Sequence, residues 1–594
     1  MRTSFLQDLY LQRPVTLTIL ICIVSVLPWI GMGDFATKGE PREAAVAISM
    51  LETGNVVLPA SYADEFAYKP PMAHWLMTAF SCPQGYVNEF TARLPSALAF
   101  IFLIGYVLVF FGKRIGKFQE VFVAGFLLIT CIEIHRAGMT ARVDMLLTTF
   151  TVLGLFQLYR WEELQELKGL PVTIPVLLGC AVLTKGPVGI VLPVFVFGLY
   201  LLMLHKYRLT VVVKAMLYAG ISSLFLPFLW YFAAWQQGGE DFLNVAAAEN
   251  FGRFFHINTP AIDYSLGHEN GVWYNFATLA AGFMPWSILI VFSLFGMKIH
   301  KPSTSFKEIL KNAWARIRSM EKIRLFSLVA LVGILFFYSI PSSKRSVYLM
   351  PAYPFIALFL AQYILYITEY RARATRVFAG FIALLAITVS IALLSVMTGI
   401  IDPVAALQSL HITNNSTLHT VQTVSEMLAS PDCTTILIIC LLLLSIGIVC
   451  YQIFRKINIK ILYATIALLF CINLLTDGII MRGERKSTSV RPFAEQIMRD
   501  YPLNKENVYV MNNLREYSNL YGLNFYTGNI FHNFETAQPE SGYFLAGEND
   551  MPKIISKYGN RYTFRALAST SREIKEIKQK ISLSSFTTTD NINP

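Results

Sequence analysis

A helix needs about twenty apolar residues to cross a bilayer. This chain offers thirteen candidate runs, at 15–33, 94–112, 118–134, 143–160, 171–184, 187–204, 210–235, 272–297, 325–341, 348–368, 377–400, 434–453 and 459–480. Only 15% of its residues are charged and 55% are hydrophobic, whereas a soluble globular chain carries about 25% charge. The chain therefore reads as an α-helical polytopic membrane protein with about thirteen spans. The fifth and sixth runs are short and are divided by Lys185-Gly186-Pro187.

The net charge of +11 fits sorting of basic residues to the cytoplasmic side better than nucleic-acid binding, for which nothing else speaks. With the N-terminus in the cytoplasm, basic clusters fall in alternate turns. They are Lys113, Arg114 and Lys117; Lys206 and Arg208; Lys298 to Arg324; Arg371, Arg373 and Arg376; and Arg455, Lys456 and Lys460. Arg2 and Arg13 precede the first run without a small-residue cleavage site, which predicts a retained anchor. The eight cysteines show no metal-ligand spacing.

The opposite side then receives a long polar loop at 34–93, a loop at 236–271, the turn Pro341–Val347, a loop at 401–433 and everything after about 481. This divides the chain into a membrane domain, 1–480, and a soluble periplasmic α/β domain, 481–594. In the latter, 491–500 and 551–558 read as helices and 507–511, 542–546 and 562–567 as strands. The last residues, rich in Ser, Thr and Asn, are expected to be frayed. In the first loop, Pro41 suits a first helical turn. Ala44, Ile48 and Leu51 share a face, and Gly54 supplies a stop. A second amphipathic helix is expected from Pro70-Pro71, after a linker carrying Asp64, Glu65, Tyr68 and Lys69.

Ionisable groups at membrane depth are costly and mark function by default. Asp34, Glu40, Glu43 and Asp144 are the carboxylates on this side; Arg42, Lys69, Arg142, Lys185, Arg253, Lys344 and Arg345 are cations there. Cations stabilise charge developing on a departing phosphate, and a carboxylate can take an acceptor's proton. The pattern points to an anionic lipid substrate at the outer face, without naming a sugar. Each residue alone would otherwise be a snorkelling side chain or a simple ion pair.

E-P-R-E-A-A-V-A-I-S-M-L-E-T-G-N-V-V-L-P, Y-K-P-P-M-A-H-W-L and T-A-R-L-P-S-A-L resemble the first outer loop of the protein mannosyltransferase superfamily. R-V-D, L-T-K-G-P, E-N-F-G-R-F, H-E-N-G-V-W-Y-N and S-S-K-R-S-V-Y-L-M-P-A-Y-P follow in the family's order. Within it, the set is most similar to the lipid A aminoarabinose transferases. The resemblance implies the GT-C fold and a polyprenyl-phosphate-sugar-dependent, inverting glycosyltransferase. Its donor would be undecaprenyl-phosphate sugar and its acceptor lipid A or a related envelope glycolipid. The family's Asp-Glu-x-Arg motif, aligned on Arg42, places its Glu on Glu40 and its Asp on Gly39. Glu40 is thereby implied as the catalytic carboxylate, with Asp34 and Glu43 as substitutes. Lys69, Lys185, Arg253 and Tyr348 match ligands of the carrier phosphate, and Asp144 matches a second acidic position. Tyr68 stands where aminoarabinose transferases carry a Glu suspected of binding metal, so no cofactor or metal is expected, His268 notwithstanding. A monomer among membrane lipids is expected. The rival readings are protein O-mannosylation and, from another class, a lipid transporter or flippase.

Overall fold

Every one of the thirteen apolar runs contains a helix in the computed structural model, which describes residues 13–35, 37–249, 270–295, 305–341, 343–412, 414–513 and 516–589. Among the described residues, six helices are long and apolar enough to cross a membrane, or nine if each bent pair is one span. The chain is a multi-pass membrane protein. The count is lower than thirteen because several runs break. Phe118–Thr130 meets Ile132–Gly138 at 67°, and Trp273–Gly282 meets Trp286–Leu294 at 106°. Pro14–Val26, Thr173–Lys185 and Val188–Met203 are shorter apolar helices. Val143–Gln165 is long, but it opens on Asp144 and closes on Arg160, Glu162 and Glu163.

The first loop folds into the two expected helices, Gly39–Thr53 and Met72–Ser81. Glu40 lies in the first turn of the former, where the helix dipole favours a negative charge. Gly54 ends that helix with φ +69°, its N–H donating to the Met50 carbonyl. Only a residue free of a Cβ adopts that conformation without strain. Ala44, Ala47 and Met50 are buried, so the helix lies against the bundle.

Beyond the last span, a five-stranded sheet has the order β2-β1-β3-β5-β4. Its strands are β1 (Val508–Val510), β2 (His532–Asn533), β3 (Ser541–Gly547), β4 (Tyr562–Ser569) and β5 (Ile581–Thr588). β1 runs parallel to β2 and β3, while β5 is antiparallel to both β3 and β4. The expected fraying of the final residues is therefore corrected as far as Thr588. Ile581, Leu583 and Phe586 are buried within the Ser/Thr-rich stretch, and β5 occupies an inner position of the sheet.

This sheet region grips the first loop. His532 Nδ1 and Asn533 N–H meet the two Asp64 carboxylate oxygens at 2.7 and 3.0 Å. The Leu520 N–H donates to the Tyr62 hydroxyl at 3.1 Å, and Lys505 pairs with Glu52 at 2.5 Å. Tyr526 donates to Glu89 and accepts from the Phe35 N–H.

Candidate active site

Three side chains converge on Glu43. Arg42 Nη2 and Lys69 Nζ reach its Oε1 at 2.9 and 2.8 Å, and His74 Nε2 reaches Oε2 at 2.8 Å. A carboxylate only accepts, so the His74 nitrogen facing it carries the proton. The other ring nitrogen, Nδ1, is buried without a hydrogen-bond partner. Burial pushes the Glu43 carboxyl upward, but Lys69, Arg42 and His74 outweigh it and hold it well below the ordinary range. Burial pushes Lys69 down to about 8, with Arg42 adding to the effect and Glu43 opposing it. The Lys69 and Arg42 side chains remain 29% and 35% exposed, so both can meet a ligand.

A second cluster surrounds Asp144, in the first turn of Val143–Gln165. Lys185 Nζ contacts its Oδ1, and Arg142 Nε lies 3.6 Å from Oδ2. The Arg345 charge also reaches it. Lys185 ends the helix Thr173–Lys185, where a cation complements the dipole. Its ammonium stands 4.6 Å above the centre of the Tyr348 ring, which packs on Tyr338.

Gly39 joins the two clusters. It precedes Glu43 by one helical turn, and a Cβ built on it would come within 2.7 Å of Arg142 Nη1. The guanidinium thus occupies the space that a side chain at position 39 would need. In chemical terms, Arg42 and Lys69 share one carboxylate, while Arg142 and Lys185 share another. Cations exceed carboxylates in both places, and several are partly open. Such a surface binds anions.

The remaining candidates are placed differently. Glu40 is 1% exposed and accepts from Arg93 Nε at 2.8 Å and from the Ala141 N–H at 3.1 Å. Arg93, wholly buried, also donates to the carbonyls of Ile30, Gly33 and Asp34. Burial raises the Glu40 pKa, but Arg93 and Arg485 outweigh it and leave it lowered. Asp34 accepts from the Ser489 hydroxyl at 2.5 Å and pairs with Arg491 at 3.5 Å, away from both clusters. Lys344 is buried, donating to the carbonyls of Pro341 and Asn270 at 2.6 and 3.0 Å. The charge of its neighbour Arg345 is the one felt at Asp144. Arg253, His268 and Glu269 lie outside the described residues. Among the described residues, no three His, Cys, Asp or Glu side chains gather as a metal cage.

His74 and Arg93 join the site beyond the residues named from sequence. Arg93 had a signal, an arginine at the entry to an apolar run. His74 looked like one polar residue on an amphipathic helix. Tyr521, from the sheet region, adds its ring 6.0 Å from the Arg42 guanidinium.

Residues 68–235 match the family model described as dolichyl-phosphate-mannose-protein mannosyltransferase. The crystal structure of ArnT from Cupriavidus metallidurans bound to undecaprenyl phosphate aligns with a TM-score of 0.65, covering 96% of this chain and 97% of that one at 16% identity. This chain is a relative of the protein mannosyltransferase superfamily and has its GT-C fold. An uncharacterised protein of Aquifex aeolicus (strain VF5) is 29% identical over 54% of this chain and 59% of its own length. The undecaprenyl phosphate-alpha-4-amino-4-deoxy-L-arabinose arabinosyl transferase of Enterobacter sp. (strain 638) is 24% identical over 54% of each chain. The chain thus spans somewhat more than half the length of these two curated relatives.

Proposed function

We propose that this protein is an inverting, polyprenyl-phosphate-sugar-dependent glycosyltransferase. It moves 4-amino-4-deoxy-L-arabinose from undecaprenyl phosphate to lipid A or a related envelope glycolipid. The observation that carries the reading is the excess of cations over carboxylates in two adjoining clusters beside the first loop. The names of the curated relatives and the GT-C fold support it.

In this reading, Lys69, Arg42, Lys185 and Arg253 hold the carrier phosphate, and Tyr348 seats Lys185. An already ionised phosphate oxygen of the acceptor attacks the anomeric carbon from the face opposite the carrier phosphate, so no proton has to be removed. The bond to the phosphate oxygen breaks, and the cations stabilise the charge left there. Asp144 orients the acceptor and the surrounding cations. Glu43 holds Arg42 and Lys69 in place. Glu40, sealed against Arg93, acts by positioning. Side-chain cations supply the positive charge, so the reaction is proposed to need no metal. The protein would lie in a bacterial inner membrane with a cytoplasmic N-terminus and a periplasmic C-terminal region. The alternation of basic turns supports that orientation.

The test is a lipid A mass spectrum from a Gram-negative host that lacks its own aminoarabinose transferase but makes the donor lipid. An aminoarabinose adduct with the native chain, lost in Asp144→Asn at equal abundance, is expected. An adduct that survives Asp144→Asn removes that residue from the mechanism. No adduct from an abundant native chain overturns the choice of sugar and acceptor. A second reading, protein O-mannosylation, draws on the match of residues 68–235 to the mannosyltransferase model. It predicts transfer to Ser or Thr of a peptide, with strong dependence on a carboxylate base.

A further inference from the structure

The helix Phe306–Arg318 buries none of its thirteen residues. Its side chains are nevertheless strongly sorted. At 3.6 residues per turn, Phe306, Ile309, Leu310, Ala313, Trp314 and Ile317 fall within an arc of about 140°. Phe306, Leu310 and Trp314 are 74%, 54% and 45% exposed, which would be costly in water. Lys307, Lys311 and Arg318 flank one edge of this stripe and Arg316 the other, against the single acid Glu308. Arg318 also lies over the Trp314 ring at 5.6 Å.

The position of the helix narrows what can cover it. The spanning helix Lys322–Ser339 starts after Ser319, Met320 and Glu321, a link that reaches at most about 14 Å. Arg318 Nη2 is 2.9 Å from His205 Nε2. His205 follows the apolar helix Val188–Met203, whose other end begins just after Lys185 of the candidate site. The amphipathic helix is therefore held at the bundle end opposite the site, close to where its neighbours leave the apolar layer.

We propose that Phe306–Arg318 lies in the membrane interface on the face opposite the candidate site and binds anionic phospholipid headgroups. The apolar stripe sinks toward the acyl chains. The basic residues at its edges reach up to the headgroup phosphates, as snorkelling side chains do. The occupant is a lipid leaflet because the C-terminal end of the helix is tied to the spanning helix Lys322–Ser339 and to the apolar helix Val188–Met203, and the charge at the rim is positive. The proposal is independent of the sugar transferred at the other face.

The test is amide hydrogen exchange of residues 306–318 in the full chain, reconstituted in nanodiscs of phosphatidylcholine alone or with phosphatidylglycerol added. Exchange is expected to slow by about tenfold or more when the anionic lipid is present, and to recover in high salt. Combined Lys307→Gln, Lys311→Gln, Arg316→Gln and Arg318→Gln should erase the difference between the two bilayers. Leu310→Glu with Trp314→Glu should raise exchange in both, with the spanning helices unchanged. Equal exchange in the two bilayers overturns the headgroup recognition. Rapid exchange in both, or protection that arises only when a soluble protein is added, overturns the membrane seating itself.

Discussion

Glu40 and Glu43 sit three residues apart on one helix, and both are buried. They nevertheless have opposite surroundings. Glu40 meets a single arginine that is itself wholly buried and whose other donors go to backbone carbonyls. That pair is closed. Glu43 meets two cations with open flanks and a histidine donor. That group has charge to spare. The lesson is that burial alone does not mark a functional carboxylate. The balance of its partners and their exposure do.

The strongest way to break the comparison is through the closed pair. Arg93→Met should leave Glu40 buried and unpaired, costing about 3–5 kcal/mol. Thermal unfolding of the purified protein would reveal it, and Glu40→Gln should cost less because the amide keeps some of the bonds. Next comes the open group. Lys69→Met should leave unfolding nearly unchanged while lowering turnover by about a hundredfold, the order of one lost charge-stabilising donor. A large stability loss here, or none at Arg93, would invert the two assignments.

Acidity sharpens the contrast further. Because Lys69 is held near 8, its ammonium is full at neutral pH and is lost as pH rises through that value. Affinity for undecaprenyl phosphate should therefore fall above pH 8, by about tenfold for each further unit in the limit where the neutral amine does not bind. Lys69→Arg should flatten this limb. His74→Leu removes one donor to Glu43 and should weaken that affinity by about fivefold, roughly the worth of one hydrogen bond. His74→Gln should restore it, and equal losses in both would make His74 a packing residue only. Smallest of all is Arg491→Ala. Its 3.5 Å pair with Asp34 is half exposed and should contribute under about 1 kcal/mol.

Much of this was legible before any coordinates. The apolar runs take in the six helices that, among the described residues, are long and apolar enough to cross a membrane, because hydropathy tracks burial in lipid, but they overstate the number of unbroken spans. Pro41, Gly54 and the Pro70-Pro71 pair marked the first-loop helices, because each fixes a backbone conformation. The bends between Thr130 and Ile132 and around Phe283 were hidden, since hydropathy has no direction. β5 was hidden because Ser and Thr serve frayed ends and strands alike; only its pairing on two sides decides. The cations were legible as a set. Their allotment was not, because Glu40 and Arg93 lie 53 positions apart and Asp144 and Lys185 41 positions apart. That Lys344 is spent on the carbonyls of Pro341 and Asn270 required the fold of its turn.

The grip of the sheet region on the first loop also has a bearing on time. His532 fastens Asp64 from 468 residues further along the chain. Translation delivers the loop well before its fastener. Lys69 and Arg42 therefore wait, while the spans between are made, for the sheet region to clamp the ground they stand on. The readiness of these residues is set by a part of the chain made later than they are.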